Sequence, residues 1–173
     1  MKKRFSTCDF CDAHKSADGQ QFRVLPPLFR DFAACKVFSG PVVTVKCFED
    51  NTWVKAAVDS CGFIETPNGR VGKVLVVDGA GSLHRALLGG NLGVTAAKNG
   101  WAGVVIDGCV RDVQELAVLE VGIRALASTP MPTEKKNQGL QDVAVQIQGV
   151  WVRPGDWLYA DADGMLVSSM CLD

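Results

Sequence analysis

Val43, Val45 and Cys47 alternate with Thr44 and Lys46, the period-two pattern of a half-buried strand. Behind them Asn51 stands where a helix cap belongs, and Val54, Ala57, Val58 and Cys61 recur at helical spacing. Val74 to Val77 is a continuous apolar run ending at Asp78-Gly79, which predicts a fully buried strand entering a tight turn. Gly89-Gly90 leads to Asn91, a predicted N-cap for a helix from Leu92 to Asn99 that stops at Gly100. Gly103 to Ile106 is the next buried strand, closed by Asp107-Gly108. Strand, glycine-rich turn, helix and strand make a βαβ unit over residues 74–107.

The flanks add to this centre. Ser6 and Thr7 are N-cap residues for a short helix over Cys8 to Lys15, with Asp9 and Asp12 placing negative charge early. Pro26-Pro27 breaks the chain before the apolar anchors Phe29 and Phe32. Leu116 to Ala127 satisfies both the helical and the strand period. Towards the end, Val143, Val145 and Ile147 alternate, Pro154-Gly155-Asp156 turns, Trp157 to Ala160 extends, and Asp161 to Gly164 turns into Met165 to Val167. Without a repeat or a linker, residues 1–173 read as one α/β domain.

Composition narrows the function classes. Eighteen Lys+Arg against nineteen Asp+Glu leave a formal charge of -1, so no global field gathers nucleic acid or an anionic membrane. Lys2-Lys3-Arg4 and Lys135-Lys136 are short runs of the kind that stay solvated. No stretch is long and apolar enough to span a bilayer, and no apolar segment follows the basic N-terminus as in a signal peptide. Seven scattered cysteines fit a reducing, cytoplasmic setting. Cys8-x-x-Cys11 with His14 invites a zinc reading, but a structural site needs four ligands and no second pair stands at a matching spacing. His84 reads as a loop residue, Asp78 and Asp107 as turn formers or outer-sphere groups, and the four tryptophans as core or interface anchors.

Chemistry collects at two strand ends. Gly89-Gly90-Asn91-Leu92 lets a ligand approach backbone N–H groups at the start of a helix, which suits a carboxylate or an enolate oxygen. Arg111 offers a planar fork for a carboxylate, Asp112 a ligand for a hard divalent cation, and Glu115 shares a side with Asp112 if the segment is helical. Taken alone, these residues read first as a turn and a surface ion pair.

The spacing Gly90-x20-Arg111-Asp112-x2-Glu115 resembles the divalent-metal-dependent 4-hydroxy-4-methyl-2-oxoglutarate aldolases, whose family also contains the regulator of ribonuclease E activity A. The likeness extends through STCDFCDAH, GPVVTVKCFEDN, VLVVDGAG, ALLGGNL, the segment Gly103 to Asp112, and Pro154-Gly155-Asp156 with Ala160-Asp161. It implies a three-layer β/β/α fold of the swivelling-domain type, assembled as a homotrimer or a hexamer made of two trimers. By matching position it gives Gly89, Gly90, Asn91, Leu92 and Arg111 to a small 2-oxo acid substrate, Arg111 and Asp112 to catalysis, and Asp112 to a magnesium or manganese ion. The implied activity is carbon–carbon lysis of 4-hydroxy-4-methyl-2-oxoglutarate to two pyruvates, with oxaloacetate decarboxylation through the same pyruvate enolate. The alternative is a non-catalytic regulator that binds and inhibits ribonuclease E; Asp112 favours the enzyme, since a catalyst needs that carboxylate and a binding surface does not.

Overall fold

The computed structural model describes residues 5–172, so the basic run Lys2-Lys3-Arg4 lies outside the described residues. Ser6 caps helix α1 (Thr7–His14) by accepting the N–H of Asp9. Thr7 then pins that helix to the far end of the chain, its N–H and hydroxyl each reaching Asp161 at 2.7 Å. Strands β1 (Phe22–Val24), β2 (Arg30–Asp31) and the long β3 (Phe38–Lys46) follow. The middle of the chain runs through α2 (Thr52–Asp59), the hairpin β4 (Phe63–Thr66) and β5 (Gly69–Gly72), β6 (Val74–Asp78), β7 (Ala86–Leu88) and α3 (Gly90–Lys98). It continues through β8 (Gly103–Val110), the single turn α4 (Val113–Leu116) and β9 (Gly122–Ser128). Five short strands complete it: β10 (Leu140–Gln141), β11 (Val145–Ile147), β12 (Val150–Val152), β13 (Trp157–Ala160) and β14 (Met165–Ser168).

β3 joins two kinds of sheet. Its first half pairs antiparallel with β13, and its second half pairs parallel with β6. The resulting ten-stranded sheet has the order β1-β14-β13-β3-β6-β8-β9-β2, with β10 added to β3 and β7 to β8. The parallel centre is buried on both faces, which is why β6 and β8 are continuous apolar runs rather than alternating ones. On one face Val45, Leu75, Val77, Val104 and Ile106 pack under Val54, Ala57 and Val58 of α2, Ala96 of α3 and Leu116 of α4. On the other, Val42, Val74, Val76 and Val105 meet Val145, Ile147, Leu158, Met165 and Val167 from the C-terminal strands. These are the β/β/α layers that the family resemblance implies. Phe38 holds the two halves together: its ring lies against Gly103 and Gly122, the first residues of β8 and β9, where any Cβ would overlap it.

Several sequence expectations shift. β8 does not stop at Asp107-Gly108 but runs on to Val110, with the register slipping between Ile106 and Cys109. The ambiguous segment after Glu115 divides into the end of α4 and β9. Val143 precedes β11 rather than belonging to it. Asn91 is not a cap, because α3 begins two residues earlier than expected, at Gly90, with Gly89 at the N-cap. Asn51 holds the N-cap position of α2 but makes no capping hydrogen bond.

Asp50 takes that part instead. Buried to 1% exposure, it accepts the N–H of Thr52 at 2.8 Å and those of Lys136 and Gln138 at 2.7 and 3.2 Å, clamping the irregular chain after β9 onto the start of α2. Burial opposes its charge, but the hydrogen bonds from Thr52, Gln138 and Lys136 outweigh that and hold its carboxyl down to about 2. The unfolded value is about 3.9, so Asp50 stabilises the fold above about pH 4 and loses that contribution as the pH falls towards about 2. The urea midpoint should therefore drop between about pH 5 and about pH 2, and drop less in Asp50→Asn. Equal drops in both proteins would place the acid sensitivity elsewhere.

Candidate active site

β7, β8 and β9 run parallel, so their C-terminal ends open on one side, where a parallel sheet offers unpaired N–H groups and helix N-termini to ligands. β7 delivers Gly89 and Gly90 and turns directly into α3. β8 delivers Arg111, whose N–H donates to Leu88 O at 2.9 Å, and then Asp112. The sequence does not single out β7, since three residues are too few to show a period.

Asp112 sits in the left-handed region, φ 56 and ψ 43, a conformation that aspartate tolerates better than most side chains. This turn ends the strand and starts α4, with Asp112 O accepting the N–H groups of Glu115 and Leu116 at 2.9 and 3.0 Å. It also brings Asp112 Oδ2 to 3.0 Å from the N–H of Gly90, capping α3 from another element. The same oxygen lies 3.5 Å from Arg111 Nε. At 41% and 37% exposure, the Arg111 and Asp112 side chains remain open to a ligand.

The two glycines make room for two carboxylates. A Cβ at Gly89 would stand 2.5 Å from Asp112 Oδ2, and one at Gly90 would overlap the carboxylate of Glu115. Glu115 therefore joins the cluster, as the helical spacing from Asp112 anticipates. The first intrahelical bond of α3 is Gly93 N–H to Gly89 O, so the N–H groups of Asn91 and Leu92 keep no partner among the described residues and face the same strand end.

Among the described residues no three His, Cys, Asp or Glu side chains form a ready metal cage. The donor set still fits a magnesium-type ion, which keeps several waters and takes one or two carboxylates plus substrate oxygens. Asp112 and Glu115 supply only hard oxygen donors, held against adjacent glycines.

The other residues singled out in the sequence lie elsewhere. Cys8 and Cys11 are free thiols on α1, and the His14 ring stacks on Phe22. His84 Nδ1 lies 3.2 Å from Glu49 Oε1 in the loop before β7. Asp78 and Asp107 face each other in register on β6 and β8; Asp78 accepts the N–H of Ala80 in a turn, and Asp107 accepts Gln148 Nε2 at 2.7 Å. Burial, followed by the nearby charge of Asp78, pushes the Asp107 carboxyl up against that hydrogen bond. Trp101 is core, whereas Trp151 is 46% exposed. Lys46 reaches towards Asp78 and Lys73 donates to Cys61 O, so neither joins the cluster around Asp112. No helix among the described residues is long and apolar enough to cross a membrane.

Comparison with known proteins agrees with this architecture. The model of the RraA-like family, described as Aldolase/RraA, matches residues 7–167. A protein of Albidiferax ferrireducens, provisionally named 4-hydroxy-4-methyl-2-oxoglutarate aldolase, is 71% identical over 169 residues, covering 98% of each chain. The solved structure of the RNA-processing inhibitor RraA from Thermus thermophilis superposes with a TM-score of 0.88 at 39% identity, covering 99% of this chain and 96% of that one. A Geobacillus kaustophilus structure named S-adenosylmethionine:2-dimethylmenaquinone methyltransferase gives 0.85 at 38% identity, with 97% of each chain covered. Three different names on one fold show that the fold alone does not choose the chemistry. By the family match and by its relatives over nearly its whole length, the chain belongs to the RraA-like family.

Proposed function

We propose that the protein is a divalent-metal-dependent lyase that cleaves 4-hydroxy-4-methyl-2-oxoglutarate to two pyruvates and, secondarily, decarboxylates oxaloacetate. The observation that carries this reading is the cluster at the start of α3: Arg111, Asp112 and Glu115 gathered on Gly89 and Gly90. Its ligand is a small 2-oxo acid, and the reading carries with it a homotrimer or a pair of trimers in the cytoplasm. The aldolase name of the Albidiferax relative supports it.

Both reactions must release a pyruvate enolate, which is too basic to leave unaided at neutral pH. A magnesium or manganese ion held by Asp112, with Glu115 beside it, would supply Lewis-acid polarisation of the 2-oxo group. Arg111 pairs its guanidinium fork with the neighbouring carboxylate and fixes the substrate's direction. The unpartnered N–H groups of Asn91 and Leu92, at the positive end of α3, face the charge that develops on the oxo side. Gly89 and Gly90 let the substrate and both carboxylates approach the backbone closely. This chemistry requires no lysine Schiff base.

The inhibitor name of the Thermus relative favours one second reading, a regulator that docks on ribonuclease E without catalysis. A docking surface needs neither a carboxylate pair packed on glycines nor unpartnered N–H groups beside an arginine.

The deciding assay is pyruvate release from 4-hydroxy-4-methyl-2-oxoglutarate and from oxaloacetate, with magnesium or manganese and again with EDTA, after subtraction of the enzyme-free metal rate. Metal-dependent release supports the lyase; none from a folded protein supports the regulator. Asp112→Asn keeps an oxygen for the Gly90 N–H and tolerates the left-handed backbone, so it should fold normally yet lose at least about a hundredfold in turnover. Full activity in that variant removes Asp112 from the metal role. Arg111→Lys keeps the charge and loses the fork, so KM should rise and kcat fall together; an unchanged profile makes Arg111 structural. Gly90→Ala should leave the melting temperature within a few degrees, because the flexible Glu115 side chain can swing away, while activity collapses with the displaced carboxylate. Retained activity would show that Glu115 does not act there.

A further inference from the structure

Resting on the lyase reading, the packing between α3 and α4 accounts for how its two carboxylates stay together. α4 is a single turn, and a lone helical turn does not hold its own shape in water. Asp112 fixes where the turn begins, its carbonyl accepting the N–H groups of Glu115 and Leu116, and the chain is next tied at Leu119 O, which accepts the N–H of Ala34 at 3.2 Å. Between those points Val113, Gln114 and Glu115 are exposed and Leu116 is fully buried. The apolar anchorage of the turn therefore falls on Leu116.

Leu116 occupies space that α3 clears for it. A Cβ at Gly93 would stand 2.7 Å from Leu116 Cδ2 and 2.8 Å from Leu119 Cδ1, so the two leucines rest almost on the α3 backbone. Gly93 follows Gly90 by three residues, which puts both on one side of the helix, and the Glu115 carboxylate rests on Gly90. α3 thus offers two neighbouring seats, an apolar one for Leu116 and a polar one for Glu115. The polar seat does not hold its occupant by itself. Asp112 Oδ2 is fixed by the Gly90 N–H, whereas among the described residues no hydrogen bond or ion pair fixes the Glu115 carboxylate. Its place is set by where the backbone of α4 carries it.

We infer that Leu116 is a positioning residue for the carboxylate pair: seated on Gly93, it sets the place of α4 along α3 and thereby holds Glu115 over Gly90 beside Asp112. Being fully buried, it reaches neither substrate nor ion and acts through Glu115. A contact that orients a metal ligand in this way typically governs ion affinity by about ten- to a hundredfold.

The test is manganese binding with pyruvate present, read from the loss of the free-ion EPR signal, in the wild type, Leu116→Ala, Leu116→Met and Gly93→Ala. Leu116→Ala empties the apolar seat, and Gly93→Ala fills it with a methyl group. That methyl meets only the flexible ends of two leucines, so Gly93→Ala keeps the test open if Leu116→Ala fails to fold. Each should weaken manganese binding about tenfold or more, whereas Leu116→Met refills the space and should stay within about threefold of the wild type. Leu158→Ala makes the same truncation in the layer on the opposite face of the sheet; it should lower the melting temperature and leave manganese affinity unchanged. Wild-type affinity in either folded variant, Leu116→Ala or Gly93→Ala, or an equal loss in Leu158→Ala, overturns the inference while leaving the lyase reading intact. A folded wild type that binds no manganese with pyruvate present overturns the metal-dependent reading, and this inference with it.

Discussion

One carboxylate oxygen of Asp112 accepts the N–H of Gly90, and that bond ties together two chain reversals that the sequence separates widely. β7 ends at Leu88 and β8 at Val110, side by side. Each strand then leaves the sheet, one into α3 and the other into α4. Asp112 caps the first helix while its own carbonyl starts the second, so the start of α3, the left-handed turn and α4 are positioned by one residue. The cap also fixes the carboxylate's orientation, leaving its other oxygen free for a ligand.

Space left by absent side chains matters here as much as the groups that are present. Gly89 and Gly90 are extended or helical in backbone, so their need for glycine comes from close approach rather than from φ. Two carboxylates and an arginine that would repel or block one another on an ordinary helix start can gather because no Cβ stands between them. Phe38 repeats the same logic away from the site, where its ring occupies the space above Gly103 and Gly122 at the starts of β8 and β9.

The ends of the chain are fixed by buried polar contacts that keep this frame closed. Thr7 is bound to Asp161, whose backbone carbonyl accepts the Arg124 guanidinium, and Arg124 pairs with Asp31 at 2.8 Å. Arg23 pairs with Asp156 at 3.1 Å on the opposite edge. Arg23–Asp156 is buried on both sides, and a pair of this kind adds little net stability over apolar packing but is costly to break singly, whereas Asp31 is open to solvent. These contacts therefore specify how α1, β1 and β2 close onto the sheet more than they strengthen it.

The sequence by itself determined the βαβ centre, because uninterrupted apolar runs such as Val74 to Val77 and helical spacing such as Val54-Ala57-Val58 report burial directly. It also offered Arg111, Asp112 and Glu115 as candidates by residue type, and the family resemblance gave them their expected roles. Other features were illegible for physical reasons. Three-residue β7 carries no period, the cap of α3 comes from a residue 22 positions away, and Asp50 rather than Asn51 caps α2 through contacts shared with Lys136 and Gln138. Local patterns encode which face of an element is buried, whereas the company each functional side chain keeps depends on strand order and register, and those exist only once the sheet has assembled.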